Sequence, residues 1–292
     1  MNISFVILHY DNNKSTFECV TSLLKYLSNK KYKVEIVIVD NGSPSQKFAC
    51  VYNKTFSNNK HIHLITLNTN LGFSKGNNVG YKYSKYTLQS NVIILANNDI
   101  VFSQEKFLDH LEKNVVEKHV DIAGPKIFSN ESNIDENPIP RQFYSENDIL
   151  KRIVKDCVLL SFSYCFSLDI FLSQKFGQTI KKDGSNFLEK SKKDFSNFQL
   201  HGSCLIFANN YLKEKDGLYD KPFMYGEENI LRYVVDVHHY KMLYIPELYV
   251  RHNDGLSTPG TYKTNVKKRQ FRYKNAIKSN FLLIKLIRNN NH

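Results

Sequence analysis

The chain has 292 residues, 41% apolar and 23% charged, with a net charge of +12. That is enough apolar sequence for a core in one large domain, or in one domain plus an appendage. No stretch reaches the roughly 18 consecutive apolar residues of a spanning helix, no secretory signal is expected of the start "MNISFVILHYDNN", and five scattered cysteines (Cys19, Cys50, Cys157, Cys165, Cys204) without a C-x-x-C pair favour reduced core thiols over a disulfide framework or a zinc site.

Residues 3–8, "ISFVIL", and 34–39, "VEIVIV", are continuous apolar runs rich in β-branched residues, the pattern of strands buried on both faces in a parallel sheet. Between them Phe17, Val20, Leu23, Leu24 and Leu27 recur at helical spacing. "HLITL" (63–67) and "VIILA" (92–96) read as two further strands, with a helix around "SKGNNVGYKYSKY" between them. After "NND" (97–99) a helix is expected, with Ser103 as its N-cap and Phe107, Leu108, Leu111 and Val115 as its stripe. The alternation of strands and helices predicts a doubly wound α/β core, in which ligands bind beyond the carboxyl ends of the strands. From 130 to 198 the alternation is lost. This stretch is rich in Asn, Ser and Lys around one apolar block, "CVLLSFSYCFSLDIFL" (157–172), and reads as an insertion or lid. The pattern resumes with "GSCLIFAN" (202–209), a helix after Glu227 and the strand "KMLYIPE" (241–247). The last thirty residues read as a helix with Tyr273, Ile277, Phe281 and Ile284 on one face.

Candidate chemistry sits at the strand ends. Asp40, in "VDNGS", can accept from a ribose hydroxyl or a base N–H, or it can cap its own turn. In "NLGFSKGNNVG" (70–80), Gly72, Gly76 and Gly80 fall every fourth residue among Asn70, Asn77 and Asn78, a loop that lets backbone approach a ligand or simply leads into a helix. It has neither the G-x-G-x-x-G nor the G-K-[ST] phosphate fingerprint. Asp99 in "NND" offers one carboxylate to a hard divalent cation, with Asn97 or Asn98 assisting through a carbonyl or a water, or the three residues cap the next helix. In "YGEEN" (225–229), Glu227 and Glu228 open a helix, as acids favoured by the helix dipole or as a positioned general base. His252, in "RHNDGLS" (251–257), can bind a metal or phosphate, or be structural.

The order "VILHYDN", "VDNGS", "NLGFSKGNNVG", "NND", "GSCLIF", "YGEEN", "RHNDGLS" resembles the family 2 glycosyltransferases of GT-A fold, and within them the rhamnosyltransferase-like members that build bacterial surface polysaccharides. The resemblance covers about residues 1–125 and 200–258. It implies a Rossmann-like, doubly wound mixed sheet, and with the residue pattern the expected layout is a GT-A domain over 1–260, including the 130–198 insertion or acceptor-side lid, followed by a basic amphipathic helix over 261–292. It implies that His9 and Tyr10 lie against the nucleobase, that Asp40 binds the nucleotide, and that Gly72, Phe73, Gly76, Asn77 and Asn78 lie near the ribose and donor. Asp99 matches the last acid of a D-x-D motif whose first acid is Asn97 here, with Asn98 between them. His252 matches a histidine that reaches the diphosphate or metal. Glu228 matches the base and Glu227 its orienting or acceptor-binding neighbour. The implied activity is inverting transfer of a hexosyl or deoxyhexosyl group from a UDP- or dTDP-sugar, with a divalent cation (Mn²⁺ or Mg²⁺), to a hydroxyl of a glycan acceptor, and the basic tail and middle insertion suit a lipid-linked one.

The chain from Thr261 onward holds nine Lys or Arg and no acid, against a net charge of +12. Such a tail suits an anionic membrane surface, with no motif for nucleic acid beside it, or a helix packed on the domain with a solvated basic face. The expected setting is therefore cytoplasmic and peripheral, at the inner face of the membrane. A nucleotidyltransferase is the main rival, but "LHYDNNKST" is not the Gly-rich basic phosphate loop it would need. A non-catalytic partner or sugar-binding subunit is the other, and intact Asp99 and Glu228 count against it.

Overall fold

The computed structural model describes residues 1–45, 47–143, 145–164, 169–170, 197–253 and 266–290. The two apolar runs near the start form β1 (Asn2–His9) and β2 (Lys33–Asp40), paired in parallel with His9 opposite Asp40. The helix between them, α1 (Asn13–Leu27), is capped by the Asn12 side chain, which accepts from Ser15 N–H. A helix not expected from the sequence, α2 (Lys47–Thr55), leads to β3 (Ile62–Thr66). Its nine residues bury only Phe48, so its apolar pattern is too brief to register as periodicity.

Helix α3 (Phe73–Lys82) follows and runs into a widened i→i+5 turn over Tyr83–Thr87. Then come β4 (Val92–Asn97), which pairs with β1 in parallel, and the two-residue β5 (Ile100–Val101). Ser103 does not cap the next helix: α4 (Phe107–Leu111) begins four residues later and closes in a second wide turn. The expected stripe holds, because Phe107, Leu108, Leu111 and Val115 are all buried. Next are β6 (Ile122–Ser129), the short β7 (Ile139–Pro140) and α5 (Glu146–Ser163), whose Ser145 and Asp148 form a capping box. The rest of the described chain comprises β8 (Phe198–Gln199), β9 (Cys204–Phe207), α6 (Asn209–Glu214), α7 (Glu227–His238), β10 (Met242–His252) and α8 (Val266–Asn290). The strand expected at 241–247 continues to His252 as one element, β10, with a register irregularity between Ile245 and Tyr249.

Eight strands form one mixed sheet in the order β3-β2-β1-β4-β9-β6-β10-β5, and β7 pairs with β8 in a separate ribbon. The sheet separates two apolar layers. Phe5, Leu23, Phe102 and Phe107 anchor the layer under α1 and α4, and Val6, Tyr81, Phe207 and Tyr211 anchor the one under α3 and α6. A third core joins α5, α7 and α8 through Ile149, Ile153, Ile230, Leu283 and Ile284. The expected single stripe on α8 is therefore split. Tyr273 and Ile284 are buried, and Ile277 is packed beside them, but Phe281 points out to solvent. The block 157–172 provides the end of α5, while 165–168, 171 and 172 lie outside the described residues, as does Cys165. Of the other cysteines, Cys19 and Cys204 are core thiols, whereas Cys50 and Cys157 are exposed. Among the described residues no helix is long and apolar enough to cross a membrane.

Candidate active site

The parallel register sets His9, Asp40 and Asn97 at one edge of the sheet, because β1 pairs Leu8 with Asn97 on one side and His9 with Asp40 on the other. His9 is fully buried, with its ring on Phe48 at 4.2 Å and Nδ1 2.6 Å from Thr16 Oγ1. The Thr16 hydroxyl donates to Asn12 O and also accepts from Asn98 Nδ2 at 2.9 Å, which assigns the proton of this contact to His9 Nδ1. Nε2 is left as a buried acceptor without a hydrogen-bond partner. Burial pushes the imidazole pKa down against the opposing charges of Asp40 and Asp11. Tyr10, one residue on, is exposed.

Asp40 makes the turn bond that its sequence allowed: Oδ1 accepts from Ser43 N–H at 3.0 Å. Ser43 Oγ in turn accepts from Asp11 N–H at 2.9 Å, tying the ends of β1 and β2 together. The residue that the sequence reading passed over here is Asn41. Its Nδ2 donates to Asn70 Oδ1 and Gly72 O, both at 3.1 Å, and its Oδ1 accepts from Leu71 N–H at 3.0 Å. Gly72 itself has φ +83°, and a Cβ there would lie 2.2 Å from Phe223 O, so no other residue fits without displacing backbone. Phe73 N–H donates to the same Phe223 carbonyl at 2.8 Å.

Gly76, Gly80 and Asn78 of this stretch also hold the fold together. Gly76 and Gly80 lie where α3 crosses the sheet, with Leu8 and Val6 of β1 directly beneath them. Asn77 Nδ2 donates to Phe73 O within the helix, and its Oδ1 is buried without a partner. Asn78 is pinned at both ends, donating to Leu218 O and accepting from Leu218 N–H, each at 2.7 Å. Its amide closes the fold 140 residues away rather than facing the cleft that holds the glutamates.

At the end of β4, Asp99 O accepts from Asn253 N–H at 2.9 Å, which fixes the "NND" turn against the end of β10. There Asp99 Oδ1 lies 3.2 Å from His252 Nε2. The contact has ion-pair distance without hydrogen-bonding geometry, and Oδ1 is buried with no other partner. The other ring nitrogen, Nδ1, is 2.6 Å from Glu136 Oε2, a residue that carries no signal in the local sequence. Burial pushes the Glu136 carboxyl up, but its bond to His252 and the nearby imidazole charges outweigh that and hold it below the usual range. An imidazole braced through one nitrogen by a carboxylate, with the other aimed at a second carboxylate, is the arrangement of an oriented metal ligand. Among the described residues no group of three or more His, Cys, Asp or Glu forms a complete site. The pair fits a cation that takes its remaining oxygens from a substrate.

Beside this pair a cleft of about 380 Å³ opens, lined by Phe73, Asn97, His201, Ser203, Glu227 and Glu228 among others. Asn97 N–H donates to Ser203 O at 2.9 Å, and Ser203 Oγ is 2.8 Å from His201 Nδ1, so this wall is a continuous hydrogen-bonded edge. Helix α7 starts at Glu227 after Gly226, whose φ of +87° turns the chain. Both glutamates therefore stand in the first turn. Glu227 is buried with Oε1 unpartnered, and burial, followed by the Glu228 charge, pushes its carboxyl up to about 8 against two backbone hydrogen bonds. Glu228 is half-buried, with Oε1 against Gly202 at the cleft wall. The opposite wall carries Arg152 of α5 and Arg272, Ala276 and Asn280 of α8.

Solved structures share this architecture. The first is described as S. aureus TarS 1–349, with a TM-score of 0.52 and 16% identity, covering 87% of this chain and 61% of that one. A second, S. aureus TarS, gives the same score and identity over 87% of this chain and 37% of the other. The chain thus spans less than two thirds of either, and at this identity the likeness establishes the fold. No curated protein matches the chain. The family described as Glycosyl transferase family 2 matches residues 4–176, more than half of the sequence and the part that carries Asp40, the Gly72–Asn78 stretch and Asp99. The mixed GT-A-like sheet agrees with that match, and the chain belongs to glycosyl transferase family 2.

Proposed function

We propose that the protein is an inverting transferase that moves a hexosyl or deoxyhexosyl group from a UDP- or dTDP-sugar to a hydroxyl of a lipid-linked glycan in surface-polysaccharide synthesis. The observation that carries the reading is the shared cleft: Glu227, Glu228 and Asn97 line one cavity, with Asp99 two residues beyond Asn97 and paired to His252. The nucleoside end of the donor is assigned to the β1–β2 edge, where His9 Nε2 is an unused acceptor beside Asp40 and Tyr10 is exposed. Asp99 and His252 would hold a divalent cation, Mn²⁺ or Mg²⁺, which when bound supplies positive charge to the leaving diphosphate.

Glu228 takes the proton from the acceptor hydroxyl. The acceptor oxygen attacks the anomeric carbon from the face opposite the diphosphate, the bond from that carbon to the diphosphate oxygen breaks, and configuration inverts. Glu227, kept protonated at neutral pH, presents an O–H that can orient the acceptor beside the base. The setting is the inner face of the cytoplasmic membrane.

The test has two parts. A panel of UDP- and dTDP-sugars, with and without Mn²⁺, is screened by thermal shift for the donor, and the anomeric configuration of the product is then read by NMR. The expected product is inverted, and Glu228→Gln is expected to bind donor normally while losing transfer by ~10²–10⁴-fold. A retained configuration, or near-normal turnover by this variant, refutes the mechanism.

A further inference from the structure

Helix α8 has three faces of different chemistry. Leu283 and Ile284 are buried in the third core, Tyr273 is buried with its hydroxyl on Asp169, and Arg272, Ala276 and Asn280 line the cleft. The remaining face carries Phe271, Lys274, Lys278, Phe281 and Lys285, spaced three and four apart, and forms one side of a groove of about 800 Å³. The other side is Lys221, Pro222 and Phe223. The aromatic rings are well exposed for their size, at 39% for Phe223, 43% for Phe271 and 54% for Phe281. Phe223 and Phe271 meet edge-on at 6.3 Å, and Tyr225, at the cleft, lies 6.4 Å from Phe271. Among the described residues no acid lines the groove. Lys221 is 3.8 Å from Asp220, but among the described residues Lys274, Lys278 and Lys285 make no ion pair, and Lys274 lies over the exposed Tyr164 ring.

Lysines interleaved with outward phenylalanines are poorly suited to an aqueous face. They match a bilayer interface, where rings enter the headgroup region and lysine stems extend along apolar surface to reach phosphate. An acidic protein partner would satisfy the lysines but leave the rings without a stated counterpart. We propose that this groove face, Phe223, Phe271 and Phe281 with Lys274, Lys278 and Lys285, docks the protein on an anionic lipid surface. The segment 221–223 walls the groove and 224–228 walls the cleft, so docking brings the mouth of the cleft to the headgroups. The purpose of docking rests on the lipid-linked acceptor proposed above, but the binding itself does not.

The test uses the full chain and flotation with vesicles of phosphatidylcholine alone or with phosphatidylglycerol. Binding is expected only with phosphatidylglycerol, weakening as salt rises because screening acts over about 8 Å at physiological ionic strength. Lys278→Gln with Lys285→Gln should lower partitioning about 30-fold, since ~1 kcal/mol per lysine is roughly fivefold each. Phe281→Ser should lower it with the salt dependence unchanged. Donor hydrolysis and melting temperature are measured on the same samples and should match the wild type. Failure of the wild type to float, equal flotation of the variants, or a wild-type dimer that the variants dissociate each overturns the docking surface. Flotation as expected without hydrolysis of any nucleotide sugar leaves this surface standing and refutes the transferase reading instead.

Discussion

At the scale of single residues, the two carboxyls that open α7 divide the work through their surroundings. Glu227 is buried beside a charged neighbour and holds its proton up to about 8, while the unfolded chain releases it near 4.3. Between those values the folded state binds more protons than the unfolded, so this group costs stability as pH rises through the window. Glu227→Gln removes the titration. Its melting temperature relative to the wild type should therefore rise between about pH 5 and about pH 8, and a constant difference at the two pH values would refute the shift. The sequence placed both glutamates in the first turn of a helix, but their surroundings, such as Gly202 against Glu228, come from elsewhere in the chain, and no local pattern encodes which of the two is buried. Glu136 is similarly silent in sequence. It lies 116 positions from His252 and is identified only by the 2.6 Å contact between them. The positions of Asp40 and Asp99 just at or beyond strand ends were legible because continuous apolar runs mark the strands, and Asp40 makes the turn bond that its sequence also allowed.

At the scale of elements, the glycines of α3 carry a different message from the one their spacing suggested. A four-residue repeat of Gly is the spacing of one helix face, and two of the three glycines use it to let α3 lie close on β1 and β2. A Cβ on Gly80 would lie 2.4 Å from Val6 Cγ1 and 2.9 Å from Val39 Cγ2. Gly80→Ala should therefore destabilise the protein by about 1–3 kcal/mol through overpacking. Helix propensity alone acts in the other direction, by up to about 1 kcal/mol. The sign of the change in urea midpoint decides which effect dominates. Strands β1, β2 and β4 were readable almost to the residue, since burial on both faces leaves continuous β-branched runs, whereas β6 was not expected and β10 runs beyond the expected 247 to His252. The start of α4 was not, because the helix has no side-chain cap and Ser103 lies in the extended approach to it.

At the scale of the whole molecule, the C-terminal helix is part of the domain's construction. Its apolar residues close the third core, and its polar ones finish the cleft. Arg269 makes a bidentate pair with the buried Asp169, at 2.7 and 3.1 Å, and Arg288 pairs with Glu146 at the start of α5. Removing residues 266–290 should therefore lower the melting temperature and donor hydrolysis together, since each large apolar side chain re-exposed costs roughly 1.5–3 kcal/mol. A truncated protein that hydrolyses donor at the wild-type rate and melts at the wild-type temperature would contradict this. The composition of the tail revealed its charge but not its partner, because α5 lies more than a hundred residues earlier in the chain.

That separation in sequence has a consequence during synthesis. Helix α5 ends at Ser163 and α8 begins at Val266, 103 positions later (266 − 163). At ribosomal rates of ~5–20 residues per second, roughly 5 to 20 s pass between the emergence of the two. Throughout that interval the side of α5 destined for α8, with Ile149 and Ile153, has no partner helix to cover it. The sheet strands and α7 can assemble before then, and the last wall of the cleft cannot. The nascent chain therefore passes through a stage with a finished sheet, a bare helix and an incomplete active site, and it is at this stage that a chaperone has most to shield.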